Sequence, residues 1–147
     1  MARSGGSIYW LGSDKEGHAQ VYRSVGYEAQ KISTFYEDNL ISNIYNISDA
    51  VGLTYQLDGH VFYKLTFQSG DVTLVYNITT GFWHKETWWN DITMLEERSR
   101  GNSHTFFNGK NYIGDSRNGK IYTMSNEVYT DDGNPIFSLV LTQMQLN

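Results

Sequence analysis

The chain has 147 residues, 39% hydrophobic and 15% aromatic, which supplies the core of one ordinary domain and excludes a disordered tail. Its formal charge of −5 excludes phosphate electrostatics as the main source of affinity for duplex nucleic acid or for an anionic membrane. With no cysteine there is no disulfide and no thiolate metal site, and no stretch approaches the roughly 18 apolar residues of a membrane-spanning helix.

The apolar fraction is rich in Tyr (eleven), Phe (seven) and Trp (four), types that suit a pleated, half-buried surface. Fourteen Gly against one Pro fit many tight hairpin turns, where positive φ is required. The opening Met1 to Gly6 is small and polar and lacks the apolar centre of a signal peptide. It reads as a tag or truncation remnant, which makes 7–147 the domain and the cytoplasm the place of synthesis.

A first unit follows as an expected strand Ser7 to Leu11, a turn from Asp14 to Gly17, a strand Gln20 to Arg23, and a third strand from Tyr27 to Ile32. No strand is expected before it. Thr34-Phe35-Tyr36-Glu37 then has the form of a capping box, and Tyr36, Leu40, Ile44 and Ile47 succeed it at helical spacing. A short helix is expected at about Phe35 to Tyr45.

The middle unit is fuller. Val51 to Tyr55 leads to Asp58-Gly59, Val61 to Phe67 to Ser69-Gly70-Asp71, Thr73 to Tyr76 to Thr80-Gly81, and Phe82 to Lys85 closes it. Asp-Gly between apolar runs marks a type I′ hairpin turn, because both central residues need positive φ. From Trp88 to Arg100 the pattern predicts a strand followed by an exposed charged loop. The third unit runs from His104 to Phe107, through Asn108-Gly109, Asn111 to Gly114, Asn118-Gly119 and Lys120 to Thr123, to Asp132-Gly133-Asn134 and a last strand Ile136 to Val140.

These units repeat. Tyr22, Tyr76 and Tyr122 stand 54 and 46 residues apart, near the roughly 40–50 residues of one blade of a β-propeller. The fold predicted is therefore all-β, made of antiparallel four-stranded blades with one short helix. Two complete blades and one partial blade fall short of the four to eight of a closed propeller, so a partial propeller of about two and a half blades is expected. Its open faces call for cover by further chain or by copies of itself.

Chemistry is sparse. His18, His60, His84 and His104 belong to no His-Glu-x-x-His, and there is neither a Gly-x-Ser-x-Gly elbow nor a glycine-rich phosphate loop. They read as turn and sheet-surface histidines. Asp131-Asp132-Gly133-Asn134 has oxygen ligands, but without the spaced carboxylates of a calcium loop it reads as a turn. No catalytic residue, metal or cofactor is expected, and the chain is read as no enzyme. Trp83 is expected to pack between blades. Trp88 and Trp89 are the candidate interface, to protein or by stacking on sugar rings.

In its wording the repeat resembles a known family. Trp10-Leu11-Gly12-Ser13-Asp14, Gln20-Val21-Tyr22-Arg23, Tyr55 through Tyr63, Thr80-Gly81-Phe82-Trp83-His84 and Gly114 through Tyr122 are similar to the packaged-DNA stabilisation proteins, or tail hubs, of short-tailed phages, over about Ser7 to Pro135. Those proteins are several times longer, so the resemblance implies a fragment from their C-terminal half. It further implies a structural virion protein of the phage tail. Such a protein is a head-to-tail connector that closes the portal after packaging and stabilises packaged DNA. The implied partners are the portal protein ring, the tail needle and the tailspikes, with a homo-oligomer in the virion and no sequence-specific nucleic-acid contact. A carbohydrate-binding or carbohydrate-active propeller is the alternative reading, and a cellular propeller scaffold a third.

Overall fold

A computed structural model of the protein describes residues 1–125, 130–131 and 134–135. Three two-residue turns set its frame. Gly5-Gly6 (φ 53° and 84°), Asp58-Gly59 (49° and 78°) and Asn108-Gly109 (48° and 76°) all hold positive φ at both positions, the type I′ geometry whose twist matches that of the flanking strands. Each joins the first and second strands of a sheet, through the pairs Ser4 with Ser7, Leu57 with His60 and Phe107 with Lys110.

The first sheet has four antiparallel strands in the order β1 (Ala2–Ser4), β2 (Ser7–Ser13), β3 (Ala19–Val25) and β4 (Glu28–Lys31). The sequence reading gave this unit no upstream strand. The structure corrects it, because Gly5-Gly6 closes a hairpin that pairs Ala2 with Tyr9 and Arg3 with Ile8. Residues 2–4, read as part of a tag or truncation remnant, are thus paired in the sheet. At the opposite edge all four residues of β4 are exposed, and their charged and polar side chains guard an open edge.

Helix α1 (Phe35–Ser42) crosses β3. Its start is the predicted capping box: the Glu37 carboxylate accepts from Thr34 N–H at 2.8 Å and from the Thr34 hydroxyl. It ends about one turn earlier than expected, at Asn43, whose N–H falls back on Leu40 O and Ile41 O. Ile41 is buried, and Ile44 and Ile47, beyond the helix, still pack on the same core.

The second sheet repeats the four-strand order as β5 (Val51–Leu57), β6 (His60–Phe67), β7 (Val72–Asn77) and β8 (Phe82–Lys85). It is covered on both faces, so Tyr63 through Phe67 are buried without interruption. Tyr63, Leu65, Phe67, Leu74 and Tyr76 form an apolar core with Tyr9 and Val21 of the first sheet and Ile41 of the helix. Tyr9 stacks on Tyr63 with ring centroids 5.3 Å apart. Trp83 packs on this core as expected of a blade-packing ring, 5.0 Å from Tyr76 by centroid and with its indole N–H donating to Ile32 O at 2.9 Å.

A hairpin of β9 (Thr87–Asn90) and β10 (Leu95–Arg98) occupies the stretch predicted as a strand and a charged loop. The correction is local: Asn90 Oδ1 accepts from Ile92 N–H (2.9 Å) and Thr93 N–H (3.3 Å), and Met94 takes φ 58°, which turns the chain back. The charged residues then alternate along β10 and reach a buried Arg98. The third sheet contains β11 (Gly101–Phe107), β12 (Lys110–Asp115) and β13 (Ile121–Thr123). A last pair, β14 (Thr130–Asp131) with β15 (Asn134–Pro135), flanks the predicted Asp132-Gly133 turn, and the strand predicted at Ile136 to Val140 lies outside the described residues.

Candidate functional site

The first strands of the three sheets come together, with β5 between β1 and β11. Their type I′ turns reach one end, around a cleft of about 600 Å³ whose walls include Ser4, Thr54, Gln56, Asp58, His104 and Asn111. Alternation along each strand decides which main-chain groups face it. Val61, opposite Gln56, donates its N–H to Thr79 Oγ1 (3.0 Å) and accepts at its carbonyl from Ile78 N–H (2.8 Å), so both its groups point away from β5. The N–H and C=O of Gln56 therefore point out of the sheet.

The same geometry recurs in the other sheets. Asn111, opposite Phe106, accepts at its carbonyl from Met124 N–H at 2.9 Å, and Ile8, opposite Arg3, donates to Ser24 Oγ at 2.8 Å. Two of the outward carbonyls are capped by the neighbouring sheet. Thr54 Oγ1 donates to Arg3 O at 2.8 Å, and Asn111 Nδ2 donates to Gln56 O at 2.6 Å. Asn111 Oδ1, left as an acceptor, receives the His104 Nε2 proton at 2.8 Å, which fixes the tautomer of that ring. His104 is thereby tied to the strand edge.

Between the second and third sheets lies a polar seam. Lys64, 1% exposed, donates from Nζ to Glu86 Oε1 at 2.7 Å and to Ser99 Oγ at 2.6 Å. Burial by itself raises the Glu86 pKa, but the Lys64 ammonium and the Ser99 hydroxyl outweigh it and hold the carboxyl below its ordinary range. Thr73 Oγ1 accepts from Ser99 N–H at 3.2 Å and lies 3.2 Å from Thr66 Oγ1. Burial lowers the pKa of nearby His84.

The candidate interface residues sit on β9. Trp88 is half-buried, with the Arg100 guanidinium 4.6 Å and that of Arg117 5.7 Å from its ring centroid. Acidic partners hold both cations: Arg100 Nε lies 3.0 Å from Asp115 Oδ2, and Arg117 Nη1 lies 2.6 Å from Glu97 Oε2. The amide of Asn90, then Arg117, keeps the Glu97 carboxyl below its usual range. The ring of Trp88 is thus engaged within the chain, fastening the hairpin to the third sheet, while Trp89 is half-buried beside it. The exposed part of the hairpin is its apolar tip, where Ile92, Met94 and Leu95 are 93%, 65% and 62% exposed.

The histidines have structural partners. His60 Nδ1 lies 3.3 Å from Asn77 Nδ2, His84 meets Phe62 edge-on, and His18 closes the loop after β2 through Asp14. In that loop the ligand atoms of Asp14, Glu16 and His18 come within 4.8 Å of one another. The Asp14 carboxylate is taken up in accepting from Glu16 N–H (3.0 Å) and His18 N–H (2.7 Å), which accounts for the cluster as loop closure. Sequence reasoning did not find Lys64, Thr54 or Asn111. A signal existed for the first, a lone cation inside the apolar run Val61 to Phe67.

Comparison with known families gives a match over residues 1–129 to the family described as Bacteriophage P22 Gp10, beta-propeller. No curated protein matches the chain. The family description agrees with the all-β architecture of successive antiparallel sheets, and the match takes in residues 1–6.

Proposed function

The chain belongs to the bacteriophage P22 Gp10 stabilisation family, and on that premise we propose that it serves as a head-to-tail connector of the virion, closing the portal after packaging and retaining the DNA. The family is a phage structural one, and the match to 129 of the 147 residues is the observation that carries the proposal. The acidic charge fits a part that works through protein surfaces rather than by gripping phosphates.

On this reading the portal ring, the tail needle and the tailspikes are its partners, it assembles in several copies, it resides in the tail, and it performs no catalysis. The β9–β10 hairpin is the docking element. Its stem, with Trp88 and Trp89, is held by the arginine pairs, and its tip carries exposed Ile92, Met94 and Leu95. The competing sugar-stacking role fits less well, because the Trp88 ring is already occupied by Arg100.

Sedimentation with purified portal rings tests the proposal. Co-sedimentation that weakens at least tenfold in Ile92→Asp/Leu95→Asp is expected. Failure to bind portal, together with glycan binding abolished by Trp88→Ala and Trp89→Ala, would overturn it.

A further inference from the structure

The cleft between the first strands has a chemistry of its own, independent of the connector reading. Its most regular polar groups are main-chain ones. Gln56 turns both N–H and C=O out of the second sheet, alternation gives Thr54 the same direction, and Phe106 does likewise from the third sheet. These outward groups recur every second residue along β5, about 7 Å apart, which is the spacing that a strand presents to another strand. Arg3 O and Gln56 O are answered by Thr54 and Asn111 side chains, and the Gln56 N–H remains directed at the cleft.

The walls exclude other ligand classes. No Lys or Arg lines the cleft, so an anionic ligand such as a phosphate finds no counter-charge. Phe106, 64% exposed, supplies an apolar surface beside the main-chain edge. A volume of about 600 Å³ is in the range of pockets that bury a small ligand or a few residues of peptide.

We propose that this cleft seats one extended segment of a partner polypeptide as an added strand on the inner edge of β5, bonded through the main chain of Thr54 and Gln56 and packed against Phe106. Recognition of this kind reads the backbone first and side chains second. The partner segment is accordingly uncharged and rich in alternating β-branched and small polar residues.

The probe is a soluble, lysine-flanked peptide of alternating Thr and Val, with a control of the same sequence N-methylated at every second amide. Amide hydrogen exchange at Thr54 and Gln56 is expected to slow at least tenfold with the first peptide and to stay unchanged with the control. Gln56→Pro removes one cleft-facing donor from an edge strand without breaking a bond to β6. It should weaken the peptide about tenfold while the amides of β6 and β7 keep their protection. If millimolar peptide gives no protection, or the N-methylated control protects equally, the proposal fails. Loss of β6 and β7 protection in Gln56→Pro would show that Gln56 N–H belongs to the ladder, which also contradicts it.

Discussion

Lys64 and Glu86 form an ion pair of 2.7 Å at the seam between the second and third sheets, with the lysine side chain almost wholly withdrawn from water. A buried ammonium is tolerated only while its partners satisfy it. Lys64→Met and Glu86→Gln should therefore act very differently. Glu86→Gln leaves the ammonium without its counter-charge and should lower stability by about 3 kcal/mol. Lys64→Met fits an apolar stem into the same strand and leaves a partly exposed carboxylate, so its loss should be smaller. Urea unfolding of both variants, and of the double mutant, measures the difference.

The same pair sets an acid limit. The folded Glu86 pKa lies below its ordinary value of 4.5, so the unfolded chain takes up the proton first as pH falls. The stabilisation is present in full above about pH 4.5 and is lost as pH falls through the folded value. The urea midpoint should hold steady from pH 7 to about 5 and then decline, with a shallower decline in Glu86→Gln. The depressed Glu97 contributes to the same slope, so the slope should be reduced rather than abolished.

Tyr63 is fully buried between the first and second sheets, and its hydroxyl has no hydrogen-bond partner. Burial also raises its pKa. Tyr63→Phe removes an unsatisfied polar atom while keeping the ring that stacks on Tyr9, so it should be neutral or stabilise by about 1 kcal/mol. A drop in the thermal midpoint would mean that the hydroxyl has a partner.

Gly101 begins β11, where a Cβ would stand 2.2 Å from Ile113 Cγ2. Gly101→Ala forces the strand and Ile113 apart and should destabilise by about 1–3 kcal/mol. Gly101→Ala/Ile113→Val, which makes room at the contact, should recover part of the loss in the same denaturation assay.

How far the sequence disclosed this arrangement follows from particular residues. Asp58-Gly59 and Asn108-Gly109 announced their hairpins, because the chemistry of a type I′ turn is local. Thr34 and Glu37 likewise announced the start of α1. Gly5-Gly6 carries the same turn, but with only Ala2 to Ser4 before it there was no apolar run to mark a strand. The tyrosine spacing misled in one respect. Tyr9 and Tyr22 stand as far apart as Tyr63 and Tyr76, yet the loop after β2 has one more residue than the loop after β6. Tyr63 therefore pairs with Tyr76, whereas Tyr9 pairs with Arg23, and a one-residue shift reverses the face of every side chain. Measured from their I′ turns, the second strands open at Ser7, His60 and Lys110, 53 and 50 residues apart. The cleft was illegible because its polar groups belong to the main chain, whose direction depends on register and not on residue type.

Genome retention tests the connector account most directly. Phage heads filled with DNA but lacking their own stabilisation protein are incubated with the chain, and DNA release is followed with a nuclease and an intercalating dye. Retention that rises with added chain and falls in Ile92→Asp/Leu95→Asp is the expected result. Release at the same rate with and without the chain, in heads whose portals are intact, would contradict it.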